Sequence, residues 1–344
     1  MTSRHSQLWQ DPEVADLFST VRELALALRF EAALAEAQAC SGVISAEAAS
    51  AVIQACKDFE LNEKQLAHGI RRDGMIVPEL VRQLRETLPD THREALHFRS
   101  TSQDVIDTVT IMTIGAALRV LSNRLHGTIG QLETIGRVSG FVPQMARTRM
   151  QRALPFTLQA RLDAWCAPLR RHIERLSELR PRALVLQVGG PIGTDDGPWI
   201  PELARLLELS TPSRSWHTAR DGLAELASWA SLVTGSLGKI GQDIAMMAQN
   251  EIGEVVIEGG GKSSAMHHKS NPVGAEMLVA LARYNAGLCG IVHQSLIHEQ
   301  ERSGAAWALE WMTLPSMLET AGAALRHCAD LLSRSDFRTG RSCS

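Results

Sequence analysis

Aromatic side chains are scarce, 4% of 344 residues with a single tyrosine, while alanine and leucine are plentiful. That balance favours helix over sheet, and no strand-like alternation of apolar and polar residues competes with it. The six cysteines (Cys40, Cys56, Cys166, Cys289, Cys328 and Cys343) form no C-x-x-C pair. A zinc site or a disulfide framework is therefore not expected, and free thiols in a reducing cytoplasm are. The formal net charge is only -3, which does not suit a binder of nucleic acid or of a membrane surface. Any anion site must be a local cluster of cations. No apolar run of membrane-spanning length is expected. Residues 1–12 are polar and lack the apolar stretch of a signal peptide. Neither an internal repeat nor a low-complexity segment is present.

Helical periodicity fills the space these absences leave. Residues 16–37 are predicted to form one helix, with Leu24, Leu28, Ala32 and Ala35 on a common side. Ser45 starts another over 45–59, with Glu47 in its first turn. Short helices are expected at 62–69 and 79–87, around a Gly/Pro break at 74–78. The centre is different in scale. Residues 105–138 contain no proline, and Ile111, Ile114, Leu118, Leu121, Leu125, Ile129 and Leu132 recur at spacings of three and four. That is one apolar stripe on one long helix. Further long helices are predicted at about 156–180, kinked at Pro168, at 223–247, at 273–298, and at 307–332, where Pro315 intervenes. The result is an all-α chain built on a long central bundle packed through seams. Residues 1–104 form an N-terminal helical domain, 105–333 the bundle, and 334–344 a short tail. Stripes on helices this long exceed what one chain buries, so oligomerisation is expected.

Chemistry concentrates in one loop. Three glycines, Gly259 to Gly261, cannot hold a helix cheaply, at about 1 kcal/mol each relative to alanine. They read as a flexible hinge. Lys262, Ser263, Ser264, His267, His268, Lys269, Ser270 and Asn271 follow. A polar linker is the bland account of such a run. The spacing says more: Ser263, Met266, Lys269, Asn271 and Pro272 resemble, in register, the fumarase/aspartase superfamily signature G-S-x-x-M-x-x-K-x-N. Lys262 stands where the signature has its glycine, and His267 where many members have proline. The run from His97 through Thr101-Ser102-Gln103-Asp104 to Thr108 resembles the first superfamily region, and Met145 to Gln151 the second. Residues 243–255 resemble the approach to the signature loop. The likeness covers roughly residues 10–330.

Within that superfamily, T-S-Q-D-V-I-D-T, Ala146-Arg147-Thr148, Trp216 to Asp221 and the run from His298 to Trp311 resemble the carboxymuconate cycloisomerase branch. Many eliminating members carry T-H-x-Q in the second region, with a histidine that moves a proton. Here Arg149 follows Thr148. The resemblance implies ring closure of a small tricarboxylate without metal or cofactor and a homotetramer with sites shared between chains. Superfamily members usually carry a third, helical C-terminal domain; only Ser333 to Ser344 follow the last bundle helix here, so that domain is expected to be reduced or absent. Such a site needs cations and donors for carboxylates and one group that exchanges a proton with carbon. Ser263 is the proton-transfer candidate, its alkoxide stabilised by Lys269 and by amides near Gly261; capping the next helix is its alternative. His97 is the second, with a packed, hydrogen-bonded histidine as the equal alternative.

Lys269 with Asn271, Arg147 with Thr148 and Gln151, and Thr101 with Ser102 are three candidate donor groups for carboxylates. Asp104 suits capping or orienting donors. His217 is a substrate-binding candidate. Arg220 carries the cycloisomerase-like pattern with it, with an ion pair to Asp221 or another carboxylate as the equal alternative, and Arg302 suits either an anion or Glu299. His267 and His268 diverge as neighbours and have no third partner, so no metal site is expected. Trp307 and Trp311 are four apart and read as core. The rivals to ring closure are a fumarate-releasing lyase of the same fold and a catalytically inactive structural relative.

Overall fold

Four side chains decide where the first helices begin. The computed structural model describes residues 4–267 and 269–340; His268 and Cys343 lie outside them. Asp11, Ser19, Ser45 and Asn62 each accept a hydrogen bond from the backbone N–H three residues on, satisfying a donor that a first turn leaves orphaned. They open α1 (Pro12–Leu17), α2 (Thr20–Cys40), α3 (Ala46–Lys57) and α4 (Glu63–Asp73). The helix expected over 16–37 is therefore two. Ser19 takes an extended backbone, φ -68 and ψ 149, to cap α2, which breaks the chain there. Next comes α5 (Val77–Glu86).

Five long helices follow, with a short α8 (Ile200–Leu206) between the second and third. They are α6 (Ser102–Ser139), α7 (Leu158–Ala183), α9 (Asp221–Met247), α10 (Val273–Gln294) and α11 (Ala305–Ser333). They run up and down in turn. Ser228 near the start of α9 meets His293 at the end of α10, and Gly241 near the end of α9 meets Ala275 at the start of α10. Glycine is required at that seam: a Cβ on Gly238 would stand 2.5 Å from the Ala282 Cβ, and one on Gly241 2.6 Å from the Ala275 carbonyl oxygen. The α6 stripe read from the sequence is the core stripe, with Ile114, Leu118, Leu121, Leu125 and Leu132 fully buried. A second core joins α2, α3 and α5 to Val105, Ile106 and Val109 of α6, to Trp199 of the turn before α8 and to Trp307 of α11.

Two expectations need correction. The chain is mostly helical but not all-α. β1 (Pro143–Thr148) and β2 (Gln151–Thr157) form an antiparallel hairpin. β3 (Val255–Ile257) pairs with β6 (Ser335–Phe337), and β4 (Gly261–Lys262) with β5 (Ser270–Asn271). Strands of two or three residues carry no readable period. The hairpin turns on Arg149 and Met150, both at positive φ, 48 and 66. Such a turn normally announces itself with glycine or asparagine, and neither is present. The helix expected from 156 begins at Leu158 for the same reason, since Phe156 belongs to β2. Second, α6 and α10 are each long and apolar enough to cross a membrane by length and composition. Packing accounts for α6, whose most apolar stretch is 67% buried. The equivalent stretch of α10 is only 28% buried, leaving an apolar face open.

Candidate active site

The start of α6 gathers one set of polar side chains. Asp104 is fully buried and accepts four hydrogen bonds. Thr101 N–H and Gly190 N–H reach Oδ2, both at 3.0 Å. Gln187 Nε2 at 3.2 Å and His217 Nε2 at 2.8 Å reach Oδ1. One turn further, on the same face, Asp107 accepts from Arg220 at 2.6 and 2.9 Å and from Trp307 Nε1 at 2.9 Å. The Arg220 guanidinium also donates to Glu310. Burial would lower the Arg220 pKa, but the two carboxylates push it the other way, above its ordinary value.

His97 lies at this end as well. Its Nδ1 donates to Glu31 Oε1 of α2 at 2.6 Å. Burial pulls the imidazole pKa down; the charge and hydrogen bond of Glu31, with the charge of Asp104, more than offset that, and the net shift is upward. Beside these groups opens a cavity of about 840 Å³, walled by Thr194, Ser213, Arg214, Ser215, His217 and Thr218 among others.

The far end of α6 holds a second set. Glu254, fully buried, accepts from Arg147 Nη1 at 2.9 Å and from Met145 N–H at 3.2 Å. Arg161 stands 3.6 Å from its other oxygen and stacks over Phe156. Burial lowers the Arg161 pKa, against the raising influence of Glu254 and Asp243. The signature loop lies at this end too. Lys262 and Ser270 pair as the last rung of a two-strand ladder that closes the loop. Inside it Ser263 Oγ accepts from Ala265 N–H at 3.3 Å and Met266 N–H at 3.0 Å.

A profile of the family described as lyase matches residues 8–286. The chain belongs to this lyase family, the fumarase/aspartase superfamily. A 3-carboxy-cis,cis-muconate cycloisomerase of Pseudomonas aeruginosa is 37% identical to it over 328 residues, 92% of this chain and 72% of that protein. The solved structure of a 3-carboxy-cis,cis-muconate lactonizing enzyme from Pseudomonas putida matches with a TM-score of 0.89 at 34% identity, covering 98% of this chain and 77% of that one. A fumarate lyase from Mesorhizobium sp. BNC1 matches with a TM-score of 0.89 at 32% identity, covering 96% and 76%.

In this superfamily member the candidate residues fall into two groups that one chain does not unite. His97, Thr101, Ser102, His217 and Arg302 sit where α6 begins. Arg147, Thr148, Gln151, Ser263, Lys269 and Asn271 sit beyond its other end. At 1.5 Å per residue the 38 residues of α6 hold the hairpin roughly 57 Å from Thr101.

Several expectations change in detail. The amides at Ser263 come from Ala265 and Met266, not from around Gly261. Two of the three glycines are less a free hinge than a close fit: a Cβ on Gly260 would clash with Ser270 Oγ, and one on Gly261 would stand 2.5 Å from Val273 Cγ2. Arg302 makes no ion pair with Glu299 among the described residues; it donates to Gln103 Oε1 and to the Pro191 carbonyl. Arg220 takes other carboxylates than Asp221. Trp307 is core, as expected, but its indole N–H is also committed to Asp107. Thr148 and Gln151 are exposed partners flanking the hairpin turn.

Glu31, Gln187, Glu254 and Glu310 are the organising residues that sequence reading missed. The only available signal was an acid inside an apolar stripe: Glu31 follows Phe30 and precedes Leu34, both core residues.

Proposed function

We propose that this chain closes 3-carboxy-cis,cis-muconate to a carboxymuconolactone, as a cytoplasmic homotetramer whose active sites are assembled from several chains. The observation that carries the reading is the hairpin tip. Where eliminating members of the fold present a proton-moving histidine, this tip presents Arg149, turned outward at a positive φ. The lactonizing relatives named above support the same reaction.

The chemistry follows from charge. One substrate carboxylate oxygen attacks an alkene carbon, forming the C–O bond. The π electrons move to the neighbouring carbon and into its carboxylate, giving an enediolate. A proton then joins that carbon. In this reading Lys269, Asn271 and Arg147 hold carboxylates and the charge that builds there, with Arg147 anchored by Glu254 and the Met145 carbonyl. Ser263 supplies the proton in this account. A serine hydroxyl is a weak acid alone, but the Ala265 and Met266 amides already donate to its oxygen and stabilise the alkoxide left behind.

Two features support assembly from several chains. The donor groups lie at opposite ends of α6, and the apolar face of α10 is open. Incubation of the purified protein with 3-carboxy-cis,cis-muconate, followed by diene absorbance in the ultraviolet, tests the reading. Loss of the diene band is expected; a stable band would refute it.

A further inference from the structure

A smaller cavity, of about 300 Å³, lies where α1, α2 and the 70–76 segment meet α6 and α11. Leu17, Phe18, Ile76, Ile106, Trp311 and Leu314 give it an apolar wall with two aromatic rings. Among the described residues no lysine, arginine or histidine lines it, whereas Glu23, Asp107 and Glu310 do. Asp107 and Glu310 are bridged by Arg220, and His298 stands 3.5 Å from Glu310. Glu23 has no such counter-charge. It is half-buried, and its carboxylate makes no hydrogen bond or ion pair among the described residues. Burial raises its pKa.

The remaining polar groups on this wall are also unmatched acceptors. Thr128 and Thr134, further along α6, donate their hydroxyls to the carbonyl four residues back. Thr110 and Thr113 line the cavity instead, and their hydroxyls have no partner among the described residues. Thr113 is only 5% exposed, and a buried hydroxyl without a partner is costly to keep. Pro315 adds to the set. It lacks an N–H, so it cannot pair with the carbonyl of Trp311 four residues before it, and both residues line the cavity.

Acceptors without a cation, set in an apolar wall, complement one kind of ligand. A primary ammonium carries three N–H donors and no acceptor, as a lysine head does. Aromatic rings such as those of Phe18 and Trp311 attract a cation as well as apolar surface. About 300 Å³ is the small end of ligand cavities, which suits one ring on a short chain. We propose that this cavity binds a small primary monoamine with an apolar body, its ammonium held by Glu23 and by the Thr110 and Thr113 hydroxyls. A tricarboxylate would meet only acceptors and negative charge here, so the site is separate from the one that handles substrate. The assignment does not depend on which reaction the chain catalyses.

The test titrates 2-phenylethylamine calorimetrically into the assembled wild-type protein. 2-Phenylethanol, which has the same ring and chain but no charge, is run beside it. The amine is expected to bind at one site per chain, at least about tenfold more tightly than the alcohol, the margin of one charge-assisted hydrogen bond. Glu23→Gln is expected to melt like the wild type, to lose about tenfold in amine affinity, and to leave the alcohol unchanged. No binding of the amine by the wild type, or equal affinity for amine and alcohol, overturns the proposal. A folded Glu23→Gln that binds the amine as the wild type does also overturns it. If Glu23→Gln does not fold, Thr113→Val takes its place, since it removes the hydroxyl at nearly constant shape. Weaker amine binding by Thr113→Val with the alcohol unchanged supports the assignment, and unchanged amine binding overturns it.

Discussion

Glu31 and His97 are 66 residues apart in sequence and 2.6 Å apart in space, joined by a hydrogen bond from Nδ1 to the carboxylate. Glu31 is fully buried and His97 nearly so. This contact ties α2 to the segment that leads into α6, and it sets the protonation of a candidate proton-transfer group.

A pH dependence of stability follows from that pair. The folded-state pKa of His97 is raised, while the unfolded value is about 6.5. The pair's contribution is therefore fully present below about pH 6.5 and is lost as pH rises through the folded value. Glu31→Gln should lower stability by about 1–3 kcal/mol at pH 5.5 and by much less at pH 9. Thermal melts of both proteins at the two pH values check this. A difference that grows with pH would contradict it.

Arg220 gives a sharper stability effect. It is almost wholly buried between Asp107 and Glu310. Arg220→Leu strands two carboxylates in the core, and breaking a buried pair in this way costs about 3–5 kcal/mol. Arg220→Lys should recover only part of this, because a single ammonium cannot bridge both acids as a guanidinium does. Urea unfolding midpoints should rank wild type above lysine above leucine. A leucine variant with the wild-type midpoint would remove Arg220 from its organising role.

These two cases show what the sequence could and could not display. The long helices were legible because Ile114, Leu118, Leu121 and Leu125 repeat at the helical period and that stripe is the core. Ser45 announced a helix start by chemistry alone. Asp104 and Asp107 could be placed on one face from their spacing. Their partners could not: His217 and Arg220 each lie 113 residues from the acid they contact, and no local pattern links them. The hairpin stayed hidden because Arg149 and Met150 take a conformation their residue types do not advertise. The signature loop was found from Ser263 to Asn271, but the reason for its glycines, close packing against Ser270 and Val273, appears only in three dimensions.

Separation of the two residue groups predicts complementation. Ser263→Ala should keep helicity and assembly while turnover falls at least about a hundredfold, the low end for losing a proton-transfer group. His97→Asn is expected to be similarly impaired. Unfolding the two variants together and refolding them as mixed oligomers should restore a measurable fraction of activity, because some shared sites then receive an intact half from each chain. A mixture no more active than either variant alone would mean that one chain holds a complete site.

Ring closure in deuterium oxide tests the central claim most directly. The protein is mixed with 3-carboxy-cis,cis-muconate in deuterium oxide, and the product is examined by proton NMR and mass spectrometry; argininosuccinate and adenylosuccinate are run in parallel. The account predicts a lactone carrying one deuterium at the carbon beside the new C–O bond, with no fumarate from either succinate. An unchanged diene together with fumarate release would contradict it.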